Sequence, residues 1–247
     1  MRLVTLLAAL VGAACTAALL ALAFSVPSRA EKPKLATDTP VLIELFTSQG
    51  CSSCPPADAM MEDLARRGNV IALALHVDYW DYIGWKDEFA HPAFTQRQRQ
   101  YARVAGAGTI YTPQMVIGGR DHVVGAKPME LSQAIRAAAA RSSGISVTLQ
   151  RNGETLHIEA RATQEPGGPV VVQLVRYDPE ETVSIRRGEN AGRTLTYVNI
   201  VQSWQVLGQW EGGTSWVAEA QVEGSDPIVV ILQQPGPGAI LAAAELE

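Results

Sequence analysis

Beyond residue 30 the chain has only two cysteines, Cys51 and Cys54. No third thiol competes for their pairing, and no second pair completes a four-sulfur metal site. An excess of basic residues is also missing, with 20 lysines and arginines against 25 acids, which argues against a nucleic-acid partner because phosphate binding needs clustered lysine and arginine. No apolar run after residue 30 is long enough to cross a bilayer. There is no G-x-S-x-G, no glycine-rich phosphate loop, no close pair of carboxylates and no internal repeat, and nothing in the pattern requires a cofactor.

What is present begins with Cys51-Ser52-Ser53-Cys54, placed directly after the apolar run 41–46. A strand that delivers a C-x-x-C pair to the start of a helix makes a redox centre. Unpaired backbone N–H groups and the helix dipole stabilise a thiolate at that end. Cys51 is therefore expected to be the more exposed, lower-pKa nucleophile, and Cys54 to resolve a mixed disulfide formed at Cys51. The hydroxyls of Ser52 and Ser53 can bond a thiolate, which favours the reduced form. Pro55 and Pro56 follow at once, so either the helix proper starts near Pro55 or its first turn is distorted.

Residues 1–30 read as an export signal. Arg2 is the only charge before a long apolar stretch, and Ser28-Arg29-Ala30 offers small residues at both positions that a signal peptidase reads. The stretch approaches a membrane span in length, so an uncleaved anchor is the alternative. Cys15 reads as a cysteine within an apolar helix. Removal of this segment takes away two arginines and no acid, leaving 18 basic and 25 acidic residues, a formal net charge of −7. The expected location is periplasmic or extracellular, with no stable membrane insertion of the mature chain once the leader is cleaved.

The pattern of elements predicts two domains. In residues 39–143 the order is strand (41–46), helix (from 56), strand (70–77), helix (92–104), strand (114–117), strand (122–124) and helix (from 128). On the second helix Phe94, Gln98, Tyr101 and Ala105 share one face. Residues 144–247 change texture. Two runs flank Asn152-Gly153, a strong hairpin signal, and four more β-branched or aromatic runs follow. An antiparallel sandwich or barrel of six to eight strands is expected. The polar segment 186–195 reads as a solvated hairpin tip, or else as a loop that recognises a partner or folds back over the cysteine edge.

The run 41–46, the C-S-S-C pair and Thr112-Pro113-Gln114-Met115-Val116-Ile117-Gly118-Gly119 followed by His122-Val123-Val124-Gly125 resemble the strand, active site and proline-led hairpin of glutaredoxins and thioredoxins. More closely, the chain resembles a bacterial exported thioredoxin-like family known as a domain of unknown function, DUF1223, most distinctively in residues 44–58, 76–85 and 187–195. The fold class this implies is an α/β thioredoxin-like domain, with an insertion at about 78–108, followed by an all-β C-terminal domain. The resemblance also implies a cis Thr112-Pro113 bond that offers backbone to a substrate chain. By the same resemblance Glu44 takes a proton from Cys54, with a carboxyl pKa raised by desolvation. The other reading of Glu44 is a strand residue facing solvent.

Residues 76–87 lie at the C-terminal end of the second strand, the edge where open α/β sheets bind ligands. Tyr79 and Trp80 are accordingly candidates for a substrate platform beside Cys51, or else they roof the insertion's own core, as Trp85 is expected to do. The four histidines match no compact metal finger, the nearest lying 22 residues beyond Cys54. The leading expectation is an exported thiol–disulfide oxidoreductase acting on a protein or small-molecule thiol. The alternatives are a binding or scaffold protein with a structural disulfide and, behind it, a Cu(I)-handling protein.

Overall fold

The computed structural model describes residues 39–141 and 143–247. The expected leader and Cys15 lie outside the described residues.

Strands β1 (Val41–Thr47) and β2 (Val70–His76) are buried along their whole length, as continuous apolar sequence requires when both sheet faces are covered. They pair in parallel from Val41↔Val70 to Thr47↔His76. One face of β1 carries Val41, Ile43 and Leu45 against Met61 and Leu64 of helix α1 (Pro55–Ala65) and Leu131 and Ile135 of helix α3 (Pro128–Ala139). The other carries Leu42 and Phe46 against Phe94 and Tyr101 of helix α2 (Pro92–Val104). Each helix starts with proline in its first turn, where no N–H is needed. Thr95 and Ala102 join the buried face of α2, whereas Ala105 is exposed. Strands β3 (Gln114–Ile117) and β4 (Asp121–Val124) form the expected antiparallel hairpin, with β3 also antiparallel to β1.

The remaining strands are β5 (Ile145–Asn152), β6 (Thr155–Ala162), β7 (Val170–Ser184), β8 (Thr194–Trp210), β9 (Ser215–Gln221), β10 (Ile228–Gln233) and β11 (Ile240–Leu246). The Asn152-Gly153 hairpin joins β5 to β6, with Gly153 at φ 62°.

The expected fold class, a thioredoxin-like α/β domain followed by a separate all-β domain, is overturned. The described residues are mostly β, with three α-helices, an eight-stranded mixed sheet ordered β11-β10-β7-β8-β2-β1-β3-β4, and a three-stranded sheet ordered β5-β6-β9. Strands from both sides of residue 144 share the large sheet. The cause lies in β7 and β8, which run 15 and 17 residues as one long ribbon with register shifts at Val172/Gln173 and Arg176/Tyr177. Such bulges bend a strand pair and re-aim it. Ile200 of β8 then pairs in parallel with Ala74, closing the edge that β2 would otherwise expose. Asn199 takes a left-handed conformation at φ 52° beside this junction, and its amide donates to the Ala72 carbonyl.

The core follows the sheet. Phe46, Leu75 and Phe94 pack in one cluster with Val175, Tyr177, Val229 and Ile231. The β5-β6-β9 sheet covers β7, β10 and β11 through Val147, Ile158, Val172, Leu174 and Val230. A sandwich is therefore present, but one of its two sheets is the shared one.

Candidate functional site

Cys51 and Cys54 form a disulfide with Cα atoms 5.4 Å apart, within the usual span for such a bond. Cys54 is the N-cap of α1, and its carbonyl accepts from the amides of Ala57 (2.8 Å) and Asp58 (3.0 Å). The helix starts at Pro55. Two of its first-turn positions therefore have no N–H to offer a thiolate, and the Ser53 hydroxyl is the polar group that meets the Cys51 sulfur. Ser53 Oγ lies 3.4 Å from Cys51 Sγ and 3.5 Å from the Thr112 carbonyl, to which it donates. The expectation of an exposed nucleophile is not met: Cys51 and Cys54 are both 0% exposed, while Ser52 and Ser53 face solvent.

Two segments, the insertion and the β7–β8 loop, clamp the cysteine loop through Gln49. Its amide donates to Asp87 Oδ2 (2.8 Å), its side-chain oxygen accepts from Trp85 Nε1 (2.7 Å), and its carbonyl accepts from Asn190 Nδ2 (2.9 Å). Asn190 also donates to the Cys51 carbonyl at 3.0 Å and is buried. The segment expected to be a solvated tip thus folds back over the cysteines. Glycine allows the close approach: a Cβ on Gly188, which has φ +78°, would lie 3.3 Å from Trp85 Cβ. Trp85 roofs a cluster with Phe89, Val183, Ile185 and Tyr197, shared between the insertion and the β7–β8 ribbon.

The Thr112-Pro113 bond is cis. Trp80 Nε1 donates to Thr112 Oγ1 at 2.8 Å, which joins the insertion to this turn and, through Ser53, to Cys51. Trp80 stacks on Tyr82, which is 80% exposed. Tyr79 is half-buried next to Trp80, and burial pushes its phenol up to about 12. Thr112, Pro113, Trp80 and the cysteine pair therefore meet along one edge, with Tyr79 just behind.

Glu44 lies elsewhere. Its side chain is on the sheet face covered by α2, opposite the face packed on α1, and it is fully buried. Arg97 donates to both of its oxygens at 2.5 and 3.1 Å, and Tyr101 donates to Oε2 at 2.5 Å. Arg97 continues to Gln233, which also bonds Gln173, and its guanidinium stacks 3.9 Å from the Trp204 ring. Glu44 is a joint between the two halves of the chain.

The buried acid on the cysteine side is Asp58, a residue that sequence reasoning passed over. Thr47 Oγ1 donates to its Oδ1 at 2.6 Å, and Oδ2 has no hydrogen-bond partner among the described residues. Burial raises its pKa, Thr47 and His76 oppose that, Asp87 adds to it and Arg193 opposes it, with a net value of about 7. His76 Nδ1 meets Asp87 Oδ2 at 2.7 Å, both side chains fully buried. Burial pushes Asp87 up, but His76 and the bonds from the Gln49 and Phe89 amides hold it below the usual carboxylate range. An ionised carboxylate only accepts, so Nδ1 carries the hydrogen. Tyr197, raised by burial and by the charges of Asp58 and Asp87, completes the group. The available signal was spacing: Asp58 is four residues past Cys54 on a helix whose other inward residues are apolar.

The other histidines have separate posts. His91 caps α2, His122 accepts from Gln114, and His157 sits in β6 near Glu219. Among the described residues no group of three or more histidine, cysteine or acidic side chains is arranged to hold a metal ion.

No curated protein matches the chain. Among solved structures it is similar to protein AGR_C_4864 from Agrobacterium tumefaciens, with 32% identity over 83% of this chain and 93% of that one and a TM-score of 0.73. It is also similar to HBP35 of Porphyromonas gingivalis, at 13% identity over 85% of this chain and 75% of that one with a TM-score of 0.60, a likeness of fold alone. The family model for a protein of unknown function (DUF1223) matches residues 42–233, most of the length, and the chain belongs to that family.

Proposed function

We propose that the chain is an exported thiol–disulfide oxidoreductase working through Cys51 and Cys54. The observation that carries the reading is a disulfide closed at the first turn of α1 and joined through Ser53 to the cis Thr112-Pro113 turn. In the oxidising direction a substrate thiolate attacks Cys51 Sγ, the Cys51–Cys54 bond breaks, and Cys54 leaves as a thiolate that takes up a proton. A second substrate thiolate then attacks the substrate sulfur of the mixed disulfide. Cys51 leaves reduced, and the substrate has lost two electrons to the protein. The reverse sequence reduces a substrate disulfide. Trp80, Tyr82 and Thr112 form the surface on which a substrate chain would lie.

The burial of both cysteines favours a second reading, a binding protein whose disulfide is structural. Trapping separates the two. The Cys54→Ser chain, exposed to oxidised glutathione and to a periplasmic extract, should accumulate mixed disulfides at Cys51 that Cys51→Ser does not form. Absence of any adduct at Cys51 under conditions that label a denatured control would rule out exchange chemistry.

A further inference from the structure

We infer that Asp58 is the group that exchanges a proton with Cys54 each time the disulfide opens and closes; the inference rests on the redox reading above. Cys54 has helical backbone angles (φ −77°, ψ −37°), and the Asp58 amide bonds its carbonyl at 3.0 Å. Side chains so related lie on one helix face with Cβ atoms about 5–6 Å apart. Both are buried, Cys54 at 0% and Asp58 at 5% exposure.

The two carboxylate oxygens have different uses. Oδ1 is held by Thr47, which fixes the plane of the group, and Oδ2 has no partner among the described residues. Leaving a buried carboxylate oxygen unbonded is costly, and such groups cluster where chemistry is done. In the disulfide Cys54 has no hydrogen to give, whereas its thiol, once reduced, brings an S–H donor to the same side of the helix. The free oxygen is the acceptor for that hydrogen.

The groups around Asp58 set its charge without replacing it. His76 and Asp87 face it from the sheet and the insertion, Tyr197 from β8 and Arg193 from the β7–β8 loop. Burial with this mixture of signs leaves a carboxyl that is part ionised near neutrality, the state in which one group can both accept and return a proton.

For closure the step balances as follows. The Cys54 S–H proton passes to the Asp58 carboxylate, giving the carboxylic acid, and the Cys54 thiolate attacks Cys51 Sγ of a Cys51–glutathione mixed disulfide. The Cys51–glutathione bond breaks, glutathione leaves as a thiolate with the electron pair and is protonated by solvent. Asp58 later returns its proton to solvent. Opening runs the same path in reverse, with the acid protonating the departing Cys54 thiolate.

The test is the rate at which the Cys51–glutathione adduct closes after a jump from acidic pH, read by loss of glutathione from the Cys51 peptide. In the wild-type chain the rate should rise to about pH 7 and then level. Asp58→Asn keeps an oxygen for Thr47 and should slow closure near neutrality about tenfold or more, with the rate rising onward through the thiol's own titration. Asp58→Glu should restore part of the plateau. A rate and pH profile in Asp58→Asn equal to wild type would overturn the inference and leave the redox reading standing. A wild-type chain that never forms or closes the adduct would overturn both. If Asp58→Asn does not fold, the Asp58 carboxyl can be followed by carbon-13 NMR in the wild-type chain. Its titration midpoint must differ between the disulfide and dithiol forms, and identical midpoints would overturn the proton exchange.

Discussion

At the scale of single residues, two buried acids, Glu44 on β1 and Asp58 on α1, differ in their surroundings, and their partners decide what each can do. Glu44 has both oxygens satisfied by Arg97 and Tyr101. Removing one member of such a pair leaves a buried charge unpaired, at a cost of about 3–5 kcal/mol. Glu44→Ala should therefore lower the unfolding free energy, read from the denaturant transition, by an amount in that range without altering the closure rate of the folded fraction. A changed closure rate at unchanged stability would return Glu44 to the chemistry. Asp58 has one oxygen without a partner among the described residues and a pKa of about 7 against an ordinary 3.8. Between those values the folded state binds the proton that the unfolded state has released, so stability falls as pH rises through the window and is flat above it. At about 1.4 kcal/mol per unit the loss is roughly 4 kcal/mol. Asp58→Asn should abolish this slope and be the more stable protein above pH 7, as checked by urea unfolding across the range. A wild-type stability that is level over the window would contradict the assignment.

These residues also mark what a reader of sequence can and cannot see. The cysteine pair carries a local signature, Thr112-Pro113 was named from the resemblance and Trp80 from its place beyond a strand end, and the structure brings these residues to one edge. The proton-transfer role of Glu44 came from the resemblance, and the pattern of its strand does not say that α2 covers the side chain and that Arg97 and Tyr101 bond it. Asp58 was hidden by its ordinary appearance near a helix start, where acids are common for dipole reasons.

At the scale of elements, helices and hairpins announced themselves through periodicity, proline and Asn-Gly, and their observed limits fall close to the expected ones. The β7–β8 ribbon did not. Its two halves are separated in sequence by bulges and by Asn199, and its link to β2 is a single bridge, Ala74↔Ile200. Local pattern carries no trace of a pairing that distant. The ribbon's turn has a functional consequence, because Asn190 holds the carbonyls of Gln49 and Cys51. Each bond is worth about 1 kcal/mol. Asn190→Ala should speed reduction of the Cys51–Cys54 bond by dithiothreitol several-fold and raise amide exchange in residues 48–51 and 186–193. Unchanged exchange in both segments would show that the loop is not the cover.

At the scale of the whole molecule, both apolar clusters that flank β1 and β2 include residues from beyond 144, and Gln173 and Gln233 bond into the network that holds Arg97. A fragment ending at residue 143 loses the β8 neighbour of β2 and these partners together. It should show no cooperative thermal transition, as read by near-ultraviolet circular dichroism. A fragment that unfolds cooperatively would mean that the first half is self-sufficient after all. The second half thus supplies part of the core, the cover over the cysteines and, in Arg193 and Tyr197, two of the groups that act on Asp58, so the cysteine edge is a product of the entire sheet.

The reversibility of the Cys51–Cys54 bond is the claim on which the rest depends. The direct measurement is its equilibrium against glutathione buffers of graded ratio, read by alkylation and mass shift. A reversible couple more oxidising than about −250 mV is the expected result, since a working pair must exchange with cellular thiols. A bond that stays closed below about −300 mV would contradict the account and make the disulfide a structural staple.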